Sequence, residues 1–404
     1  MKKKNILIVM TSLYIGGAET SLIGLLKSID YAKYDVDLFL YRQEGELLSD
    51  VPKQVKLLPE IEVYKTFTQK MSLVIKNKHF IMVAIKGLSK IITRLMRFGK
   101  NNGGGDARSL FYPQMFACPF LPKISNKEYD LVISFMVPHV VVPKKALYKK
   151  SIAWIHTDYT NVKADIKREY KMWNKYDYIA SISEKSTQSF LNIYPNLKNK
   201  VIEIENILIP KEVKQKADDF LVFDEIPNDV NVVKLLSIGR FSVAKNFDNI
   251  PNICKFILKS GYKVKWYLIG YGSEESLIKA KIKGNNMEEN VIILGKKENP
   301  YPYIKACDIY VQPSRYEGKA VTVREAQMLC KPVVITNYET AKSQLTDGFD
   351  GLIVPMDNDS CADAIVRLIK DSDLQKQLIQ NCKNTDYGNE NEVEKIYELM
   401  GDLE

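Results

Sequence analysis

Asp308-Ile-Tyr-Val-Gln-Pro-Ser-Arg-Tyr-Glu317-Gly318-Lys319-Ala320-Val321-Thr322-Val-Arg-Glu325-Ala-Gln-Met328 is the stretch whose reading decides the fold. Its apolar run, Ile309 to Val311, is short and β-branched at both ends, and Pro313 and Ser314 stop it. Such a run reads as a buried parallel strand. Gly318 permits a tight turn. From Thr322 onward Val323, Ala326, Met328 and Leu329 fall at helical spacing. The order is strand, loop, helix, with Glu317 at the loop tip and Glu325 about one turn into the helix. The free amides at the helix start, around Val321 and Thr322, form an anion site. A helix dipole favours a phosphate there by roughly 0.3–1 kcal/mol, and by more where water is excluded. Carboxylates are acceptor-only and suit diols. A sugar nucleotide carries diols on both sides of its diphosphate, which reconciles two acids with one anion site. Read alone, Glu317 is equally well a solvated loop residue and Glu325 a first-turn acid.

The surroundings change that balance. The Glu-x7-Glu spacing inside PSRYEGKAVTVREA, followed by KPVVIT, resembles the family-four retaining glycosyltransferases of the GT-B fold. The resemblance implies that Glu317 contacts the donor sugar hydroxyls and Glu325 the nucleotide ribose. It also places Lys319, Ala320, Val321 and Thr322 against the donor. Many members of the family have Phe-Gly where this chain has Lys319-Ala320.

Outward from this stretch, the second half of the chain alternates strands and helical patterns. Arg240 and Lys245 follow an apolar run at 232–238, on a loop that enters a helix. Arg offers a planar fork and Lys a point charge, both suited to a diphosphate. As two of 58 Lys and Arg they would be unremarkable. Their place after SIGR and before the KN that includes Lys245 matches the donor-phosphate pair of the resembled family. Gly270 and Gly272 end the next strand, where backbone could approach a ligand. Gly295-Lys296 occupies the position that in the family lies against the nucleotide base.

The first half begins with a five-residue apolar run, ILIVM, behind Lys2 to Lys4. That run is too short for a signal h-region and reads as a first strand. Gly16-Gly17 then opens a helix, without the G-x-G-x-x-G dinucleotide fingerprint. In the resembled family a Gly pair here lets backbone approach the donor diphosphate and the acceptor, although tight loop packing explains it equally. Asp35-Val-Asp37 precedes a strand rather than following one, and reads as a solvated strand start and not a metal-binding D-x-D. His156 follows Trp154-Ile155 at the C-terminal end of a strand, the edge where α/β sheets bind ligands. The resemblance assigns it to the donor sugar, with Asp158 as a further candidate and His139 as the competing one. A satisfied structural imidazole is the alternative. Asn206 resembles the Asn that ends the family's N-terminal domain.

Length and composition bound the rest. With 404 residues the expectation is two domains, each with its own core. The six Cys lie at 118, 254, 307, 330, 361 and 382, with no C-x-x-C pair. That spacing argues against a zinc ribbon or disulfide framework and for a reducing compartment. The formal net charge of +9 is uneven, since residues 1–205 carry 32 Lys/Arg against 19 Asp/Glu. Nine cations and no acid lie between Glu62 and Asp106. Within 71–100, apolar clusters interleave with Lys76, Lys78, Lys86, Lys90, Arg94, Arg97 and Lys100. The uncharged run is far short of a membrane span. An interfacial helix with a basic face fits, and so does a helix on the sheet whose cations face water. No zinc-finger or RNA-recognition signature is present, so nucleic acid is not expected.

The expected architecture is α/β, with two doubly wound Rossmann-like domains facing across a cleft. Its boundaries are 1–205 for the acceptor domain, 206–231 for a linker, 232–385 for the nucleotide-sugar domain and 386–404 for a closing helix. The expected activity is retaining transfer of a hexose-type sugar from a nucleotide-diphosphate donor to a glycan or lipid-linked acceptor. Neither metal nor cofactor is expected. Uracil is the commonest base in the family, so a UDP-sugar is the first donor to test. The expected location is cytoplasmic, peripheral on the inner face of the membrane. Two alternatives stand beside this reading: a same-fold epimerase or phosphorylase, and a non-catalytic basic membrane-binding protein. A phosphorylase needs a cofactor-binding Lys or a further phosphate site, and neither is seen.

Overall fold

A computed structural model describes residues 3–97, 107–136, 139–157 and 159–401. Phe98, residues 100–106 and Asp158 lie outside the described residues. The chain divides into two compact units, Met1–Ile207 with Asn389–Glu404, and Leu208–Gly388.

In the first unit the near-continuous apolar runs form seven strands: β1 (Lys4–Met10), β2 (Tyr34–Leu40), β3 (Lys56–Leu57), β4 (Glu128–Ser134), β5 (Leu147–Ile155), β6 (Tyr178–Ser181) and β7 (Val201–Glu203). They lie in the order β3-β2-β1-β4-β5-β6-β7, and every neighbouring pair is parallel. Both faces are covered, which is why β1 and the C-terminal ends of β2, β4 and β5 are buried apolar runs rather than alternating ones. Leu22, Leu25 and Leu26 of helix Gly17–Ser28 bury one face together with Ile6, Ile8 and Ile133. The chain order reverses between β1 and β4, the switch point at which such sheets bind ligands.

The second unit repeats the plan with six strands: β8 (Val233–Ile238), β9 (Val264–Ile269), β10 (Val291–Gly295), β11 (Ile309–Gln312), β12 (Val333–Thr336) and β13 (Leu352–Val354). Their order is β10-β9-β8-β11-β12-β13, again all parallel. The switch point falls between β8 and β11. The loops leaving those two strands carry Arg240 with Lys245, and Glu317. Helix Val321–Met328 follows the second loop.

Three expectations are corrected, and the closing helix is located. The stretch 206–231 is not a free linker. Pro210–Lys216 is helical, and Val213, Val222 and Ile226 are buried in cores of the second unit, so three apolar side chains among charged neighbours suffice to dock it. The closing segment, expected only as a helix that ends the chain, belongs to the first unit. Helix Glu392–Leu399 packs on the first, where Tyr397 stacks on Tyr34 at 4.3 Å between ring centroids. Asp37 is not solvated. It is 4% exposed, and its Oδ2 accepts from Tyr129 Oη at 2.8 Å and Lys127 Nζ at 3.2 Å. Residues 71–97 form two helices, Met71–Lys76 and Phe80–Arg97, and the cations there do not all face water. Lys86 Nζ turns inward to the carbonyls of Thr66 and Gln69, at 2.6 and 2.7 Å.

Candidate active site

The switch point of the second unit gathers the charged residues singled out above. Lys245 Nζ donates to Glu317 Oε1 at 2.7 Å, with both side chains largely buried. Glu317 Oε1 also accepts from Ser314 Oγ at 2.5 Å and Gln312 Nε2 at 3.3 Å. Gln312 is itself fixed, since its Oε1 accepts from Tyr310 Oη at 2.7 Å. Thr340 Oγ1 donates to the Glu317 carbonyl at 3.1 Å. The acid at the loop tip is therefore held by at least three groups, which is not the behaviour of a solvated loop residue.

The two loops are also clamped to each other. Arg315 forms a bidentate pair with Asp248, each contact at 2.9 Å, and donates to the Val243 carbonyl at 2.6 Å. Its amide donates to the Ala244 carbonyl at 2.7 Å. A bidentate Arg fixes orientation as well as distance, so Lys245 and Glu317 are placed by a rigid frame. Neither Arg315 nor Asp248 was singled out by sequence reasoning. Their 67-residue separation leaves no local signal.

Arg240 leaves β8 exposed, with no ion pair among the described residues. Helix Val321–Met328 has no side-chain cap at Ala320. The amides of Val321 and Thr322 donate to nothing among the described residues, and Thr322 Oγ1 is buried without a partner there. These are the donors a phosphate would take up.

Glu325 lies behind them, 4% exposed, and its Oε1 accepts from Tyr301 Oη at 3.0 Å. Burial pushes its acid up to about 7, against the smaller opposing effect of the Tyr301 hydrogen bond. The dipole-stabilised surface acid is therefore ruled out for this position.

Gly270 has φ +149, and a Cβ there would stand 1.9 Å from the Gly239 carbonyl oxygen. That close approach of β9's end to β8's end accounts for the glycine by packing alone. Gly295 has φ +73 with open space around it, and Lys296 Nζ sits 5.4 Å from the Tyr271 ring centroid. Tyr271 is 46% exposed and stands between Gly270 and Gly272. It is an aromatic face beside Lys296 that sequence reasoning passed over, although the Gly-Tyr-Gly string marked it.

The first unit holds the remaining candidates. Gly16 precedes and Gly17 begins helix Gly17–Ser28, where the Thr20 amide donates to the Gly16 carbonyl at 2.9 Å. A Cβ at Gly17 would meet nothing within 4 Å, so packing does not require that glycine. His156 follows β5, with its ring 4.7 Å from that of Phe135. Neither ring nitrogen has a partner among the described residues. Burial pushes its acid form down to about 3, opposed by the neighbouring Asn206, so the imidazole is neutral at pH 7. The satisfied structural histidine is instead His139, whose Nδ1 lies 2.8 Å from Ser134 Oγ.

Residues 221–385 match the family described as Glycosyl transferases group 1. Over 170 residues the chain is 26% identical to the amylovoran biosynthesis glycosyltransferase AmsD of Erwinia amylovora, covering 41% of this chain and 48% of the relative. It is 25% identical over 215 residues to the N-acetylgalactosamine-N,N'-diacetylbacillosaminyl-diphospho-undecaprenol 4-alpha-N-acetylgalactosaminyltransferase of Campylobacter jejuni, covering 52% of this chain and 56% of the relative. The chain thus spans about half the length of the curated relatives it matches. The crystal structure of Anabaena HepE in complex with UDP and glucose superposes with a TM-score of 0.67 at 16% identity, over 99% of this chain and 100% of that one.

Proposed function

We propose that this chain, whose residues 221–385 match the family described as Glycosyl transferases group 1, is a retaining, metal-independent glycosyltransferase of the GT-B fold class. Its donor is a nucleotide-diphosphate hexose, with UDP as the first nucleotide to test. Its acceptor is a glycan or lipid-linked sugar of surface-polysaccharide synthesis. The observation that carries the reading is the switch-point constellation: Lys245 held 2.7 Å from Glu317, with the unpaired amides of Val321 and Thr322 on the same loop-helix turn. Cations and amides there suit a diphosphate, and acceptor-only carboxylates suit the hydroxyls on either side of it. The C. jejuni relative is named for an undecaprenol-linked acceptor and the Anabaena structure contains UDP and glucose, which support the two substrate classes.

In the proposed step the bond from the anomeric carbon to the diphosphate oxygen breaks, and a bond from that carbon to an acceptor oxygen forms on the same face. The acceptor hydroxyl proton passes to the departing diphosphate. Arg240, Lys245 and the helix amides hold the developing charge, which is electrostatic stabilisation by groups already in place. Glu317 orients the sugar hydroxyls and Glu325 the ribose. Gly295, Lys296 and Tyr271 take the base. No helix among the described residues is long and apolar enough to cross a membrane. Attachment is assigned to helix Phe80–Arg97, as a peripheral element on an anionic surface.

A panel of nucleotide sugars screened by thermal shift, followed by hydrolysis assays with and without EDTA, tests the reading. Stabilisation by one nucleotide sugar and its slow EDTA-resistant hydrolysis are expected. Loss of all turnover on chelation, restored by Mn²⁺ or Mg²⁺, would overturn the metal-independent mechanism. Stabilisation by none of them would overturn the activity.

A further inference from the structure

Glu325 is buried on helix Val321–Met328 with little polar company. The titratable groups that face it are Tyr301, from helix Tyr301–Ala306, and Tyr310, from β11. Tyr301 Oη donates to Glu325 Oε1 at 3.0 Å, whereas Tyr310 Oη donates to Gln312 instead. Glu325 Oε2 has no partner among the described residues. A carboxylate has room for about four donors, and buried polar groups are normally satisfied. The unmet acceptor sits one turn beyond the Val321 and Thr322 amides, which are unmet donors.

Tyr301 is itself held. Its amide donates to Asn299 Oδ1 at 3.1 Å. Asn299 Nδ2 donates to the Lys216 carbonyl at 2.7 Å and to Asp219 Oδ2 at 3.0 Å. With an N–H on its oxygen and two acceptors on its nitrogen, the Asn299 amide has one orientation. Pro300 and Pro302 flank Tyr301 and fix the backbone on either side. Tyr301 and Val321 also pack against the apolar cluster of Val213 and Met328. The segment that composition assigns to a linker thus reaches Glu325 through two side chains, Asn299 and Tyr301.

We infer that Tyr301, held by Asn299, is a positioning residue for the nucleotide site: it fixes Glu325 Oε1 and leaves Oε2 to accept from a ribose hydroxyl. This role rests on the assignment of Glu325 to the ribose and adds what orients that acid. Tyr301 acts through Glu325 and not on the substrate. A hydroxyl that donates to the carboxylate also favours its ionised, acceptor-only form, against the burial that opposes it. Deleting the hydroxyl therefore frees the carboxyl group to rotate and keeps it protonated to higher pH. Both changes weaken a ribose contact near neutrality, and the second is undone by alkali.

The test is calorimetry on the full chain with UDP and, separately, GDP, between pH 6 and 9. Tyr301→Phe keeps the ring in its packing and deletes only the hydroxyl. For the nucleotide that the wild type binds, affinity should fall about tenfold at pH 7, as for loss of one hydrogen bond to a charged group. The midpoint of the pH dependence should move up by about one pH unit, so that most of the loss is recovered near pH 9. Asn299→Ala should shift both quantities the same way and by less. In the Glu325→Gln background Tyr301→Phe should change affinity by less than about twofold, because the acid it orients is gone. Wild-type affinity and midpoint in Tyr301→Phe overturn the inference. An equal loss in the Glu325→Gln background also overturns it, because the hydroxyl would then act on the fold and not through the acid. If Tyr301→Phe fails to fold by near-UV circular dichroism, Asn299→Ala with Glu325→Gln supplies the same cycle. Failure of the wild type to bind either nucleotide would instead sink the nucleotide-site reading on which the role depends.

Discussion

Lys245 Nζ stands 2.7 Å from Glu317 Oε1, so a cation on one switch-point loop is held by a carboxylate on the other. Ser314 and Gln312 hold the same oxygen, and Arg315 with Asp248 holds the loops. The ammonium is therefore pre-placed before any phosphate arrives. Lys245→Ala should lower kcat and weaken nucleoside diphosphate binding by roughly tenfold to over a hundredfold, since a charge-assisted hydrogen bond is worth about 1.5–3 kcal/mol. Arg240→Ala should act in the same direction. Near-normal turnover in both variants, measured with the donor found by the panel, would remove the pair from the mechanism.

The same contact separates the two acids. Replacing Glu317 by Gln or Ala removes the charge that offsets Lys245 and leaves the ribose contact alone. Diphosphate affinity should therefore hold or rise while sugar transfer falls. Glu325→Ala removes a ribose contact and should weaken free UDP. Calorimetry on the variants decides the matter, and an equal loss of UDP affinity in both would break the division of roles.

Much of this geometry was legible beforehand because it depends on short-range pattern. The apolar strands, the Glu317–Glu325 spacing and the loop carrying Arg240 and Lys245 are local strings. What was illegible depends on distant partners. Nothing near Asp37 announces Tyr129, 92 positions away, as the group that buries it. Stretch 211–231 reads as linker by composition, because Val213, Val222 and Ile226 are few among its charges, yet each finds a core. Helix Glu392–Leu399 follows the second unit in sequence and returns to the first, guided by Tyr397 against Tyr34.

The buried acid of Glu325 gives a pH signature. Its folded value is raised from 4.5 to about 7. The folded chain thus keeps a proton that the unfolded chain loses above about pH 4.5. Its contribution to stability is full below that pH, falls as pH rises through about 7, and is level beyond. A ribose diol donates to the ionised form, so nucleotide binding should release a proton and strengthen between pH 6 and 8. Glu325→Gln should flatten both dependences. Calorimetry in buffers of differing ionisation enthalpy measures the proton. Equal release by wild type and variant would assign it to another group.

Helix Phe80–Arg97 supports the last prediction. Met82, Ile85, Ser89 and Thr93 bury one face. Ile81, Leu88, Ile91 and Leu95 stand 58, 49, 59 and 65% exposed, at helical spacing along another face. A purely structural helix would place polar residues there. Lys90 and Arg94 are exposed along the helix, and Lys76 and Lys78 are exposed just before it. That is a second apolar stripe with cations beside it, the pattern of a helix lying in a bilayer interface. Each cation near an acidic leaflet contributes about 1 kcal/mol, lost as salt shortens the Debye length. Co-sedimentation with phosphatidylglycerol vesicles should be strong at low salt and weak at high salt. Ile91→Glu with Leu95→Glu should abolish it, because the apolar stripe no longer enters the interface. Lys90→Glu with Arg94→Glu should remove the salt-dependent part only. Soluble-donor hydrolysis should survive in both double variants, since the switch-point residues are untouched. A protein that ignores such vesicles at low salt would refute membrane attachment and direct the search to soluble acceptors.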